Sequence, residues 1–96
     1  MNYLQDDAEL IRGLVREGVG IPDESDALFM LYAVLLRSKG VSVTRSDVHD
    51  AWSAWATLTQ GSHKSIVPYG DLDASTKEED EPFVEAIRLA ASQREC

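Results

Sequence analysis

Ala27-Leu28-Phe29-Met30-Leu31-Tyr32-Ala33-Val34-Leu35-Leu36 is the stretch that decides how this chain folds. It is apolar around nearly the whole helical circumference, whereas a helix lying on a surface keeps one polar face. At about ten residues it falls well short of the roughly 20 needed to cross a bilayer. The run therefore predicts a buried helix at the centre of a packed domain, spanning about residues 24–39. Pro22, Asp23, Glu24, Ser25 and Asp26 mark its start, with carboxylates at the positive end of the dipole. Arg37 and Lys39 suit the negative end, and Gly40 is placed for a C-cap.

Before this helix, Leu4, Ala8, Ile11, Leu14 and Val15 recur at helical spacing and predict a helix over 3–17, broken by Gly18 and Gly20. After it, Val41-Ser42-Val43 reads as a short extended piece. Thr44-Arg45-Ser46-Asp47 then opens a third helix over 45–59, the Thr44 hydroxyl and Asp47 carboxylate capping free backbone N–H groups. Val48, Ala51, Trp52 and Trp55 form its inner face. Residues 60–72 lack periodicity and carry Gly61, Pro68 and Gly70, which predicts a loop that is long for so small a domain. A fourth helix starts near Glu81-Pro82 and buries Phe83, Val84, Ile87, Ala90 and Ala91, with residues 92–96 expected to fray. The fold class is all-α: one four-helix domain over 1–96, with a central apolar helix and a Pro-containing loop between the last two helices.

Charge narrows the partners. Seventeen acidic against nine basic side chains leave a net charge of −8, which repels phosphate backbones. The second and third helices, joined by a tight turn, have the outline of a helix-turn-helix. The polar face of the third offers Asp47, His49 and Asp50 against Arg45 alone, however, where a DNA reader needs donors. Nucleic acid is not expected as a partner. The acid is densest over 71–85, which reads mostly as solvated helix-entry charge; Glu78, Glu79 and Glu81 are its candidate docking residues for a basic protein. Cys96 is the only cysteine, so no disulfide or cysteine metal site forms within one chain. No secretory leader is read at the N-terminus, and a cytoplasmic, non-membrane protein is the expectation. His49 and His63 with neighbouring aspartates match no metal-ligand spacing, and neither a phosphate loop nor a nucleophile elbow occurs. No cofactor, metal or catalysis is expected.

The loop carries the remaining signal. Pro68 fixes its own φ and extends Val67, so that 66–69 can lie as a rigid strap with Val67, Tyr69 and Leu72 packed on Trp52 and Trp55. In one reading the strap only closes the core, with His49 and His63 tying down loop carbonyls. In the other, His49, Trp52, Trp55, His63 and Tyr69 line a shallow aromatic ligand pocket. The order His49-x-x-Trp52, then His63 to Val67-Pro68-Tyr69, then the acidic turn and the last helix resembles the C-terminal half of the RyR domain, a repeat named from ryanodine receptors and found as small modules in bacteria and bacteriophages. That resemblance implies a non-enzymatic binding or interaction module for an unknown small ligand or protein partner. A homodimer seam is left open by the apolar loop and by the outer stripe of the first helix.

Overall fold

The apolar run does form the central helix. In the computed structural model, which describes residues 2–94, it lies inside α2 (Asp26–Lys39), preceded by α1 (Tyr3–Leu14) and followed by α3 (Arg45–Gln60), a short α4 (Ala74–Glu78) and α5 (Glu81–Arg94). The described residues contain no strand, so the fold is all-α. Helix α2 packs against α1, α3 and α5, and its Leu28, Phe29, Tyr32, Ala33 and Leu36 are buried. Val34, 48% exposed, marks the one strip that meets solvent.

Local chemistry sets the boundaries. Asn2 caps α1 reciprocally with Gln5, each accepting the other's backbone N–H at 2.9 Å. The helix was expected to reach residue 17 but stops at Leu14, because Val15 turns extended and Gly18 takes φ +86°. Helix α2 begins two residues later than expected, since Glu24 has φ +54° and cannot continue a right-handed helix. Gly40, at φ +56°, ends α2 and sends its N–H to the Leu35 and Leu36 carbonyls. Residues 41–43 are not the extended piece expected: Gly40–Ser42 is a 3₁₀ turn closed by the Val43 N–H on the Gly40 carbonyl at 3.2 Å. Thr44 and Asp47 cap α3 as read from the sequence, with both halves of the capping box formed.

Helix α4 was not anticipated. The Asp73 carboxylate accepts from the Thr76 N–H at 2.8 Å and the Ser75 hydroxyl at 3.0 Å, starting one short turn within the acidic stretch. Helix α5 continues to Arg94, past the point where fraying was expected; residues 95–96, Cys96 among them, lie outside the described residues.

The core is built where α2 meets α5. Phe29, Tyr32 and Phe83 form a ring cluster with centroids 5.3 to 6.3 Å apart, surrounded by Ile11, Leu28, Val48, Val84 and Ile87, each at most 1% exposed. Burying an aliphatic side chain of that size contributes about 1.5–3 kcal/mol. On the far side of α2, Asp7 is 1% exposed and accepts from Arg37 Nε at 2.7 Å. Arg88 on α5 donates twice to the Val43 carbonyl, from Nε at 3.1 Å and Nη2 at 2.7 Å, fastening the closing helix to the α2–α3 connection. None of the helices among the described residues is long and apolar enough to cross a membrane.

Candidate functional site

A cleft of about 490 Å³ opens where α2, α3 and the α4–α5 turn converge. Leu28 and Tyr32 come from α2, His49 and Trp52 from α3, and Thr76, Glu79, Asp80 and Phe83 from the acidic segment. Gly20 and Pro22 border it from the α1–α2 connection, and His63 and Ser65 from the long loop. The elements explain the placement. Inner-face positions of α3 bring His49 and Trp52 to the same side, and the short α4 folds the chain back so that Asp80 approaches the α2 core.

His49 is 3% exposed and anchors the loop. Its Nε2 lies 2.6 Å from the Val67 carbonyl oxygen, which can only accept, so Nε2 carries a proton and donates it there. Ser53 Oγ lies 3.3 Å from the same nitrogen. The imidazole stacks on Trp52 with centroids 5.8 Å apart, and Trp52 meets His63 edge-on at 5.2 Å. His63 Nδ1 accepts from the Ser65 N–H at 3.0 Å, closing a small turn inside the loop.

Asp80 gives the cleft its electrostatic character. Its Oδ2 is sealed from water and has no hydrogen-bond partner among the described residues. An unsatisfied buried acceptor costs about 1–3 kcal/mol. Burial pushes the Asp80 carboxyl up to about 6, with the neighbouring Glu79 adding to the rise and His49 and Arg45 opposing it. Burial, with Asp80 second, also raises the Tyr32 phenol above its ordinary value. Among the described residues, no lysine or arginine lines the cleft. Two cations of the flanking elements are engaged elsewhere: Arg45 donates to Glu81 at 2.7 Å, and Lys77 Nζ sits 5.2 Å from the Tyr69 ring centroid.

The residues picked out from the sequence separate. His49, Trp52 and His63 meet at the cleft. Trp55, 5% exposed, belongs to the core and does not line the cleft; its Nε1 is buried without a partner among the described residues. Tyr69 is 6.2 Å from His49 by ring centroids and sits behind it, at the start of a 3₁₀ turn (Tyr69–Asp71), outside the lining. The strap is a series of turns with no strand character. Ile66 is its core contact, while Val67 is 37% exposed. Of the three docking glutamates, Glu81 is held by Arg45, Glu79 borders the cleft and Glu78 is exposed.

Tyr32, Thr76, Asp80 and Phe83 join the site unannounced by the sequence. The two rings read as core, which they also are. Asp80 read as one more helix-entry carboxylate, and no local signal separates it from Glu78, Glu79 and Glu81. Among the described residues, no group of three or more histidine, cysteine, aspartate or glutamate side chains is arranged to hold a metal ion.

A family model described as a domain of unknown function (DUF7701) matches residues 2–92. No curated protein and no solved structure matches the chain. The resemblance to the RyR domain is overturned by this match, which takes in α1 to α4 and most of α5 and to which no RyR family corresponds. The motifs that carried the resemblance have a local explanation: His49 spaced for the Val67 carbonyl, and Pro68 holding that carbonyl extended toward it.

Proposed function

The chain belongs to the DUF7701 family, a membership that brings no activity with it, and from the geometry we propose that it is a non-enzymatic domain that binds a small organic molecule in the cleft between α2, α3 and the α4–α5 turn. One observation carries this reading. Aromatic walls and the half-buried carboxylate of Asp80, whose sealed Oδ2 has no partner among the described residues, line one open space of about 490 Å³, within the size range of small-molecule sites. A domain this small has little stability to spare, so an unsatisfied acceptor beside an aromatic cluster favours a ligand that completes it.

Binding accounts for the lining better than catalysis does. The proton on His49 Nε2 is committed to a backbone carbonyl, and that bond holds the loop rather than a reacting group. The docking reading, with Glu78, Glu79 and Glu81 engaging a basic protein, draws less support, because Glu81 already has its cation in Arg45. Exposed positions on α3 such as Asp50, Ala54 and Leu58 give DNA no donors.

A thermal-shift screen of small organic compounds, run in parallel on the wild-type chain and on Trp52→Arg, tests the proposal. Arginine at that position crowds the mouth of the cleft. A compound at ten times its Kd adds about 1.4 kcal/mol, raising the Tm of a domain this size by roughly 5–10 °C. Hits that stabilise the wild type and leave Trp52→Arg unmoved are expected. An empty screen, or hits that act equally on both proteins, refutes the cleft as a binding site.

A further inference from the structure

We infer that the ligand is an organic cation: a flat or compact apolar body bearing a protonated amine, amidine or guanidine that donates to Asp80. The inference rests on the cleft being a binding site and goes on to name the chemistry it selects.

Three observations converge on positive charge. The first is the balance of ionisable groups among the described residues of the lining, where Asp80 and Glu79 are present and no lysine or arginine is. A phosphate or carboxylate entering here would meet like charge at short range in a partly desolvated space, where such repulsion is least screened. The cations nearby do not answer for Asp80, since Arg45 is bonded to Glu81 and Lys77 lies over the Tyr69 ring.

The second is the direction of the hydrogen-bonding groups. Asp80 Oδ2 lacks a donor. His49 has spent its Nε2 proton on the Val67 carbonyl, so that N–H does not serve Asp80. The carboxylates of the lining can only accept when ionised, and an N–H-bearing cation matches them.

The third is the wall. Trp52, Tyr32 and Phe83 bring aromatic rings to the same space, and ring faces attract cations while their area covers an apolar body. A quaternary ammonium would use the rings alone. A protonated amine or amidine uses the rings and Asp80 together, and the structure favours that class.

Three isosteres separate charge from shape: benzamidine as the flat cation, benzamide as its neutral counterpart and benzoate as the anion. Each is titrated at pH 7.5 into isotopically labelled protein, following the Trp52 indole and the backbone amides of 79–83 by NMR. Benzamidine is expected to bind at least tenfold tighter than benzamide, with benzoate shifting nothing in the cleft. Asp80→Asn should bring benzamidine to the level of benzamide and leave benzamide unchanged. Glu81→Gln, outside the cleft, should preserve the full discrimination and so controls for a general loss of negative charge.

Benzamide or benzoate binding as tightly as benzamidine overturns the charge preference while leaving the cleft as a site. Discrimination that survives Asp80→Asn overturns the role of that carboxylate. If none of the three moves the cleft resonances, the cation proposal and the cleft reading both fall.

Discussion

Two carboxylates taken out of water on opposite sides of α2 have different fates. On the α1 side, Asp7 is 1% exposed and rests on Arg37 at 2.7 Å, a pair whose guanidinium still reaches solvent. On the cleft side, Asp80 is half-buried, its Oδ2 has no partner among the described residues, and its carboxyl is pushed up to about 6. The first arrangement offsets the desolvation of the charge inside the fold. The second leaves one oxygen without a hydrogen bond, which costs about 1–3 kcal/mol. The difference sets a carboxylate paired inside the fold apart from one that the proposed ligand would meet.

The sharpest way to test that division uses the two tryptophans of α3, which sit within one turn of each other. Trp55→Ala is expected to cost about 4 kcal/mol, as a large side chain leaves a closed core. Trp52→Ala, at the half-exposed wall of the cleft, should cost about 1 kcal/mol. Urea denaturation of both variants reads the contrast, and equal losses would mean that the cleft wall is core like the rest.

Next in size is the paired side. Arg37→Met removes the 2.7 Å ion pair to the buried Asp7 and should lower stability by about 2–3 kcal/mol, less than for a fully buried pair because the guanidinium is partly solvated. For a domain of this size that is a fall in Tm of roughly 10–20 °C. A melting curve that hardly moves would put the two carboxylates on the same footing.

The unpaired side should respond with the opposite sign. Asp80→Asn is expected to stabilise the free protein by about 1 kcal/mol at pH 7.5, after allowance for solvent at a half-buried group. The folded-state pKa lies above the unfolded value, so the folded protein binds more protons between about pH 4 and pH 6. Its penalty is absent below that window, grows as pH rises through it and is complete above pH 6. The gain from Asp80→Asn should therefore fade toward pH 4. Tyr32 on α2, His49 and Arg45 on α3 and Glu79 at the end of α4 all act on the group, so the same pH series on Arg45→Met checks that the window belongs to Asp80. A gain that is flat with pH would show that charge is not its cause. The smallest effect belongs to the surface: Leu58→Lys, at a position 83% exposed, should stay within about 0.5 kcal/mol of wild type by the same urea assay.

How much of this could be read from the residues follows from the range of each interaction. The central helix, its glycine stop and the Thr44–Asp47 capping box are decided within a few positions, and the structure reproduces them. His49, Trp52 and His63 were brought together by helical spacing and an aromatic loop, and they do meet. Trp55 was misplaced because helical spacing does not fix which of two inner-face rings looks into a neighbouring helix and which looks past it. Asp80 was illegible for a deeper reason. Its environment depends on a five-residue helix bending the chain toward Tyr32, and nothing within a few residues of it sets it apart from the solvated acids around it. The family resemblance failed in a similar way: His49, Pro68 and Tyr69 are ordered by one hydrogen bond between a helix and a loop, a local device that unrelated folds can share.

The two bonds from Arg88 to the Val43 carbonyl bear on how the molecule is made. During synthesis, α1, α2 and α3 emerge before the segment that carries Asp80, Phe83 and this arginine. Until the last helix leaves the ribosome, the carbonyl has no guanidinium and the cleft has no far wall. A chain cut short before α5 would therefore present Tyr32 and Phe29 to the cell as exposed rings, the kind of surface that chaperones and proteases recognise. Completion of the binding site and escape from quality control would then coincide in a single late docking event.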